Sequence, residues 1–315
     1  MAARRDRRRS VPDSSPRVGI VVRTKNRPWF LRRALADLGA QEYRAWRACV
    51  VNDGGDAAVV DEIIAELPPQ DRARIEVIHN VVATGRSAAA NRGVRVVDTE
   101  FVVLHDDDDL WHPAFLARTV DYLDAHPDEI GVVARTEIVY ELPTPDGGFA
   151  EAGRGPFWAD LHEITYLDLL EVNRWVPIGY LYRSVLHDRV GLYDESIHAA
   201  EDWDLGLRTL VRHRIGFIDG EPLAFWMQRE GVQGELGNSM FALEEEHARY
   251  DAMIRDAALR EYTATHGAGL ALYLTRFIPD VTRRIVREEI VRELDARPSD
   301  LQRLRRRFGR RRERD

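Results

Sequence analysis

The chain has a single cysteine, Cys49, and a single lysine, Lys25, among its 315 residues. One thiol excludes an intrachain disulfide, so a reducing, cytoplasmic setting is the natural expectation. Cys49 lies in the apolar stretch RACVV and is predicted to be a buried strand residue. The scarcity of lysine among 45 basic residues reads as coding bias toward arginine, not as a function. No apolar run approaches the roughly 20 residues of a membrane span. The basic N-terminus has no apolar segment behind it, so it does not read as a secretory signal. The formal net charge of -8 makes nucleic acid a poor partner, and none is expected. What remains is a chain that is 44% hydrophobic and 31% charged, which suits a globular protein with a sizeable core in one large or two small domains.

From Val18 onward, short apolar strands alternate with helical patterns. VGIVVR (18–23) is a strand, and RPWFLRRALADLGAQ carries Phe30, Leu31, Ala34, Leu35 and Leu38 at helical spacing. Strands at 46–51, 75–79 and 100–105 and helices at 59–67, 87–94 and 113–126 continue the series. This rhythm predicts a mainly parallel sheet covered on both faces. A strand at 130–140 is followed by the turn-rich ELPTPDGGFAEAGRGP, a hairpin loop or flap. Helices are predicted at 164–171, 184–190 and 202–212, strands near 215–218 and 222–228, and only helices beyond Asn238. One of those helices carries a stripe of Val281, Ile285, Val286, Ile290 and Leu294, a docking face by its pattern.

In an open parallel sheet, ligands bind outside the carboxyl ends of the strands. RTKNR, NDGG and HDDDD all fall at such ends and should meet in one site. The last is the most unusual, because VVLHDDDDLW puts four consecutive aspartates where an apolar strand emerges. Each pair repels by roughly 1 kcal/mol even in bulk water, so the cluster calls for a positive partner. Alternation turns Asp106 and Asp108 to one side and Asp107 to the other. Mg²⁺ and Mn²⁺ take oxygen ligands, commonly one or two carboxylates with substrate phosphates. Asp106 and Asp108 therefore read as a metal–phosphate pair, and Asp109, just before Leu110, Trp111 and Pro113, as a helix N-cap. The plainer alternative is a solvated acidic loop that caps the helix.

With these motifs in order, the chain resembles the family 2 glycosyltransferases of the GT-A fold over residues 18 to 239. VVRTKNRPWFLRRAL resembles that family's opening strand and helix, VVNDGG its V-[DN]-D-G segment and GRSAAANRGV its G-x-S-x-A-R-N segment. LHDDDDLWHP resembles its D-x-D-D-x-W-x-P, and VGLYDESIHAAEDWDLGLR its G-x-[FY]-D-E … E-D-x-D-L-x-L-R. The resemblance implies a Rossmann-like, mainly parallel sheet flanked by helices. It also implies a nucleotide-sugar donor, a divalent Mn²⁺ or Mg²⁺ on the diphosphate, and inversion at the anomeric carbon. Carried over residue by residue, Thr24, Arg27, Asp53, Arg86 and Asn91 fall on the nucleotide side, with Asp106 and Asp107 beside them. Asp108, with Asp106, falls on the metal, and Asp202 on the catalytic base. Glu201 and Trp203 fall toward the acceptor, although tryptophan in a domain of this size is more often structural.

Three departures stand out. Ala90 replaces a usual arginine, which shifts diphosphate charge toward Arg86. Asn52 replaces a frequent aspartate. The loop FWMQREGVQGELGNS has no histidine where the family often shows R-x-H, leaving a third metal ligand unassigned. Rival readings are a haloacid-dehalogenase-like phosphohydrolase using Asp106 and Asp108, a nucleotidyltransferase, and a non-catalytic nucleotide-sugar-binding module. The first wants its motif on the first strand, and the second a Gly-rich basic loop there. The expected layout is a disordered basic tail at 1–16, a GT-A domain at 17–239, a helical extension at 240–300 and an Arg-rich tail at 301–315. A UDP-sugar is the commonest donor that the family implies, with dTDP- and GDP-sugars as alternatives. The acceptor (glycan, lipid-linked intermediate or small molecule) is not written in the sequence. The Arg-rich tails suggest peripheral contact with an anionic membrane, at about 1 kcal/mol per arginine near the surface, on the inner face of a cytoplasmic membrane.

Overall fold

The computed structural model describes residues 15–232, 234–237 and 244–296. Both basic tails, and the 239/240 boundary expected above, fall outside or at the edge of these residues.

β1 (Val18–Thr24) is buried along its whole length, as a strand covered on both faces should be. α1 (Pro28–Ala40) opens on a proline in its first turn, where the missing N–H costs nothing, and buries Phe30, Leu31, Ala34, Leu35 and Leu38. β2 (Trp46–Asp53) leads to α2 (Ala57–Glu66), whose N-cap Asp56 accepts the N–H groups of Ala58 and Val59. A short α3 (Pro69–Arg72) precedes β3 (Ile75–Asn80), and α4 (Arg86–Val97) leads to β4 (Phe101–Asp106). α4 lies close on the sheet because of Gly93, where an added Cβ would come within 2.3 Å of Val21 Cγ1. β5 (Leu110–Trp111), α5 (Phe115–Ala125), β6 (Glu129–Ala134), β7 (Thr136–Pro143) and β8 (Phe149–Pro156) follow. Next come α6 (Tyr166–Glu171), β9 (Tyr180–Arg183), α7 (Leu186–Val190), α8 (Glu201–Leu210), β10 (Arg214–Ile218) and β11 (Ala224–Gln228).

Seven strands form one sheet in the order β10-β6-β9-β4-β1-β2-β3, and β5-β11-β7-β8 form a second. The large sheet is parallel except for β9, which runs antiparallel between β4 and β6. Its core joins Val18, Ile20 and Val22 of β1 to Leu31 and Leu35 of α1, Val103 of β4 and Leu116 and Val120 of α5. Cys49 is buried in β2, as expected.

The strand expected at 130–140 is two strands in different sheets. The chain changes sheet at Arg135, whose N–H donates to the Ile218 carbonyl while its own carbonyl accepts Leu223 N–H. Its guanidinium locks that corner to Asp219 and to the carbonyls of Trp158 and Leu161. The flap expected after it is the β7–β8 hairpin.

The remaining described residues form α9 (Glu244–His266) and α10 (Gly269–Ala296). The chain divides into two compact units at Ala252/Met253, inside α9 and not ahead of it. The first turns of α9 belong to the first unit because Tyr250 is buried there, edge-on to the His198 ring. On α10, Ile285, Val286 and Ile290 are exposed. No described helix is long and apolar enough to cross a membrane.

Candidate active site

β1, β2 and β4 end side by side at Thr24, Asp53 and Asp106, so the three polar clusters do converge. Arg23 is the register partner of Asp106 across the β1–β4 pair. Its Nε and Nη2 donate to the two Asp106 oxygens at 2.8 and 2.9 Å, and its Nη1 donates to Glu201 Oε1 at 3.1 Å. One guanidinium, 5% exposed, thus joins the end of β4 to the start of α8. Sequence reading passed over Arg23. The available signal was a charged residue at the end of an otherwise apolar strand.

The other aspartates are also compensated by protein groups. Asp107 is fully enclosed and accepts Thr24 Oγ1 at 2.6 Å and Arg27 Nε at 3.2 Å. Burial outweighs the Arg27 charge and pushes its carboxyl up to about 6. Asp108 Oδ2 accepts Arg27 Nη1 at 3.2 Å and also Arg229 Nη2. Burial works against its ionisation, but the two guanidiniums more than offset this and hold it below the usual carboxylate range. Asp109 is not a helix cap. β5 intervenes, Ala114 occupies the N-cap of α5, and Asp109 turns inward to accept the Met227 N–H at 2.9 Å. Burial beside Asp108 and Asp106 raises its carboxyl well above the usual range.

Asp53 also faces inward. Its carboxylate accepts Asn80 Nδ2, Thr84 N–H, Thr84 Oγ1 and Gly85 N–H, all within 2.9 Å. Three of these bonds converge on Oδ1 and one on Oδ2, and they hold its pKa down against burial. Asn52 explains itself. Its amide accepts Gly55 N–H and donates to Gly55 carbonyl, and a carboxylate could do only the first. Gly54 completes this turn at φ +80°, where a Cβ would stand 2.5 Å from Ala83 N.

Arg86 donates to the His198 carbonyl at 2.8 Å and comes within 3.8 Å of Glu201, with its side chain 32% exposed. Asn91 does not reach an open site. It is buried, its amide donating to the Tyr193 carbonyl and to Glu195 and accepting the Tyr193 N–H, so it fastens α4 to the loop before α8.

α8 begins after Ala200, an N-cap at φ 65° that offers no side-chain bond. Asp202 is therefore not the cap. It is partly exposed and accepts Asn173 Nδ2 at 2.8 Å. Burial and the neighbouring Glu201 charge push its carboxyl up to about 6. The two acceptor-side expectations are corrected. Glu201 is buried and turned to Arg23, and Arg86 and Arg23 hold its carboxyl low against burial. Trp203 is 3% exposed, with its indole N–H donating to the Leu169 carbonyl at 2.7 Å, which makes it a core residue.

A cavity of about 200 Å³ opens beside the site, lined by Thr24, Asn26, Arg27, Asp56, Val59 and Val60 among others. Another, of about 540 Å³, lies at the amino ends of the strands around Pro16, Trp46 and Ile75, the wrong ends for a ligand in such a sheet. His105 is not a site group, since it packs against Trp111 and contacts Asp37 at 3.2 Å. Among the described residues no three His, Cys, Asp or Glu side chains come together as a metal cage. Asp106 and Asp108 remain, with side chains 23% and 10% exposed. Two carboxylates with a substrate diphosphate make a usual Mg²⁺ donor set, so these residues fit an ion that arrives with a nucleotide.

The parallel-rich sheet, with strand-end aspartates facing the start of a late helix, has the GT-A fold. Residues 19–148 match the family model described as "Glycosyl transferase family 2", the family that the motifs resemble. The uncharacterized glycosyltransferase YwdF of Bacillus subtilis is 29% identical over 206 residues, 63% of this chain and 70% of that protein. TarS of S. aureus in complex with UDP-GlcNAc shares the fold, with a TM-score of 0.57 at 18% identity, over 81% of this chain and 75% of that one. The mannosyltransferase PcManGT of Pyrobaculum calidifontis, in complex with GDP-Man and Mn²⁺, has a TM-score of 0.51 at 18% identity, over 86% and 81%. The phosphohydrolase and nucleotidyltransferase readings are set aside accordingly. The aspartates end the fourth strand, not the first.

Proposed function

We propose that the protein moves a sugar, with inversion, from a nucleoside-diphosphate donor to an acceptor hydroxyl. Asp202 is the general base, and Asp106 and Asp108 lie on the diphosphate side. The Arg23 bridge carries this reading, because it makes the strand-end aspartates and the start of α8 parts of one site. Thr24 and Arg27 hold Asp107 and border the 200 Å³ recess, which is of a size for a nucleobase. Asp53 holds the 84–86 loop, and that loop presents Arg86 to the diphosphate. Inversion requires the hydroxyl to attack from the face opposite the leaving diphosphate, so the proton acceptor must stand apart from the diphosphate groups. Asp202 is a partly open carboxyl poised near neutrality. A Mn²⁺ or Mg²⁺ ion bound through Asp108 and Asp106 would neutralise charge on the leaving diphosphate. UDP is the first nucleotide to test, with GDP and dTDP beside it, and the acceptor is a hydroxyl of a glycan, a lipid-linked intermediate or a small molecule.

A thermal-shift series of these diphosphates with and without Mn²⁺ tests the donor reading. A true ligand at 100 times its dissociation constant adds about 2.7 kcal/mol, a rise of several degrees. The proposal fails if none of the three raises the melting temperature. Asp108→Ala is expected to lose the Mn²⁺-dependent part of that rise. It is also expected to lower stability, since Arg27 and Arg229 lose the carboxylate between them.

The Arg-rich segments lie outside the described residues. We propose that residues 303–315 draw the protein to anionic membrane surfaces. Removing them should reduce co-sedimentation with anionic vesicles at low salt and leave donor hydrolysis unchanged. If the full chain ignores such vesicles, the tail is only solvated.

A further inference from the structure

Arg229 belongs to FWMQREGVQGELGNS, the loop where the family resemblance leads one to expect a histidine and none is found. The structure brings Arg229 itself to the aspartates. Its Nη2 donates to Asp108 Oδ2, the oxygen that also accepts Arg27, and its Nη1 donates to Glu141 Oε2 at 3.0 Å. Its Nε donates to the Leu236 carbonyl at 3.1 Å. The guanidinium lies 4.4 Å from the Phe30 ring and 5.5 Å from that of Phe149, and the residue is 0% exposed. Arg33 covers the other side of Glu141. A cation boxed in this way does not swing aside readily, and an ion approaching Asp108 meets two fixed positive charges on a carboxylate that they already compensate.

We infer that Arg229 is a built-in cation of the site, so that a divalent ion binds this protein only together with a nucleoside diphosphate, whose negative charge offsets the arginines. This rests on the reading that Asp108 lies on the diphosphate side of the donor. Arg229 is a positioning residue in this role. It places a fixed positive charge on Asp108 through the Nη2–Oδ2 contact and touches no reacting atom.

The test is calorimetric titration of Mn²⁺ alone into nucleotide-free protein. Arg229→Met paired with Glu141→Gln keeps the buried volume and removes one charge of each sign. That double variant is expected to bind Mn²⁺ at least tenfold more tightly than the wild type, and adding Asp108→Asn should abolish the gain. Arg229→Lys, which keeps the charge, is expected to stay as weak as the wild type and serves if the double variant folds poorly. The inference is overturned if the double variant gains nothing, if Arg229→Lys gains as much, or if the wild type already binds Mn²⁺ alone as tightly as the variants. Titration of UDP and GDP in Mn²⁺ forms a separate arm. Failure of the wild type there would count against the donor reading, while the Mn²⁺-only arm still decides the role of Arg229.

Discussion

Asp202→Asn is expected to abolish sugar transfer while nucleotide binding survives. A positioned base contributes typically about 10²–10⁴-fold in rate, and asparagine cannot supply it. The substitution is otherwise mild, because an amide oxygen at 202 can still accept the Asn173 N–H. Loss of a helix cap would not explain the result, since Ala200 holds that position without a side-chain bond. The pH dependence separates the roles further. Burial and the Glu201 charge push the Asp202 carboxyl up to about 6, so kcat/KM should fall about tenfold per pH unit below that value. Glu201→Gln should move this limb to lower pH by removing the second cause. For stability the sign is the reverse of the usual carboxylate case. A folded-state value above the ordinary 3.8 means that folding favours the protonated form, so ionisation of Asp202 costs stability as the pH rises through about 6. Asp202→Asn should therefore melt no lower than the wild type at pH 8. Near wild-type transfer by this variant, measured with saturating donor, would falsify the base assignment.

Arg23→Met should be the most destabilising single change at the site. Its guanidinium and its Glu201 partner have side chains only 6% and 5% exposed, and Asp106 would lose both of its hydrogen bonds to Arg23 as well. Removing one member of a buried pair costs about 3–5 kcal/mol because the partner's charge stays buried and unpaired. For a domain of this size that is roughly 6–20 °C in melting temperature. Adding Glu201→Gln should recover part of the loss, because it removes one of the two stranded charges. An unchanged melting temperature in Arg23→Met, or no recovery in the double variant, would show that the bridge does not hold the site together. Transfer should fall with stability, since the same bridge sets α8, and with it Asp202, against the end of β4.

Much of the molecule is local enough to be read from sequence. Apolar runs marked β1 to β4 and helical spacing marked α1, because a strand buried on both faces and a helix packed on one leave different periods in the chain. The turn-rich stretch after 140 announced a hairpin, and the four aspartates announced a site by their mutual repulsion alone. Where elements depend on distant neighbours, the reading was coarser. β9 is four residues that become a strand only because β4 and β6 leave an antiparallel slot between them. The run at 130–140 divides only because Arg135 finds Asp219 and the carbonyls around it. The site follows the same rule. Sequence placed Asp106, Asp108 and Asp202 in candidate roles, but their partners lie far along the chain. Arg23 is 83 positions from Asp106 and 178 from Glu201, and Arg229 is 121 from Asp108. Sequence thus determined which residues could carry charge at the strand ends. The tertiary structure decided which of them are paired with arginine, which are spent on the fold and which keep an exposed edge, because burial and ion pairing are properties of neighbours that only packing brings together.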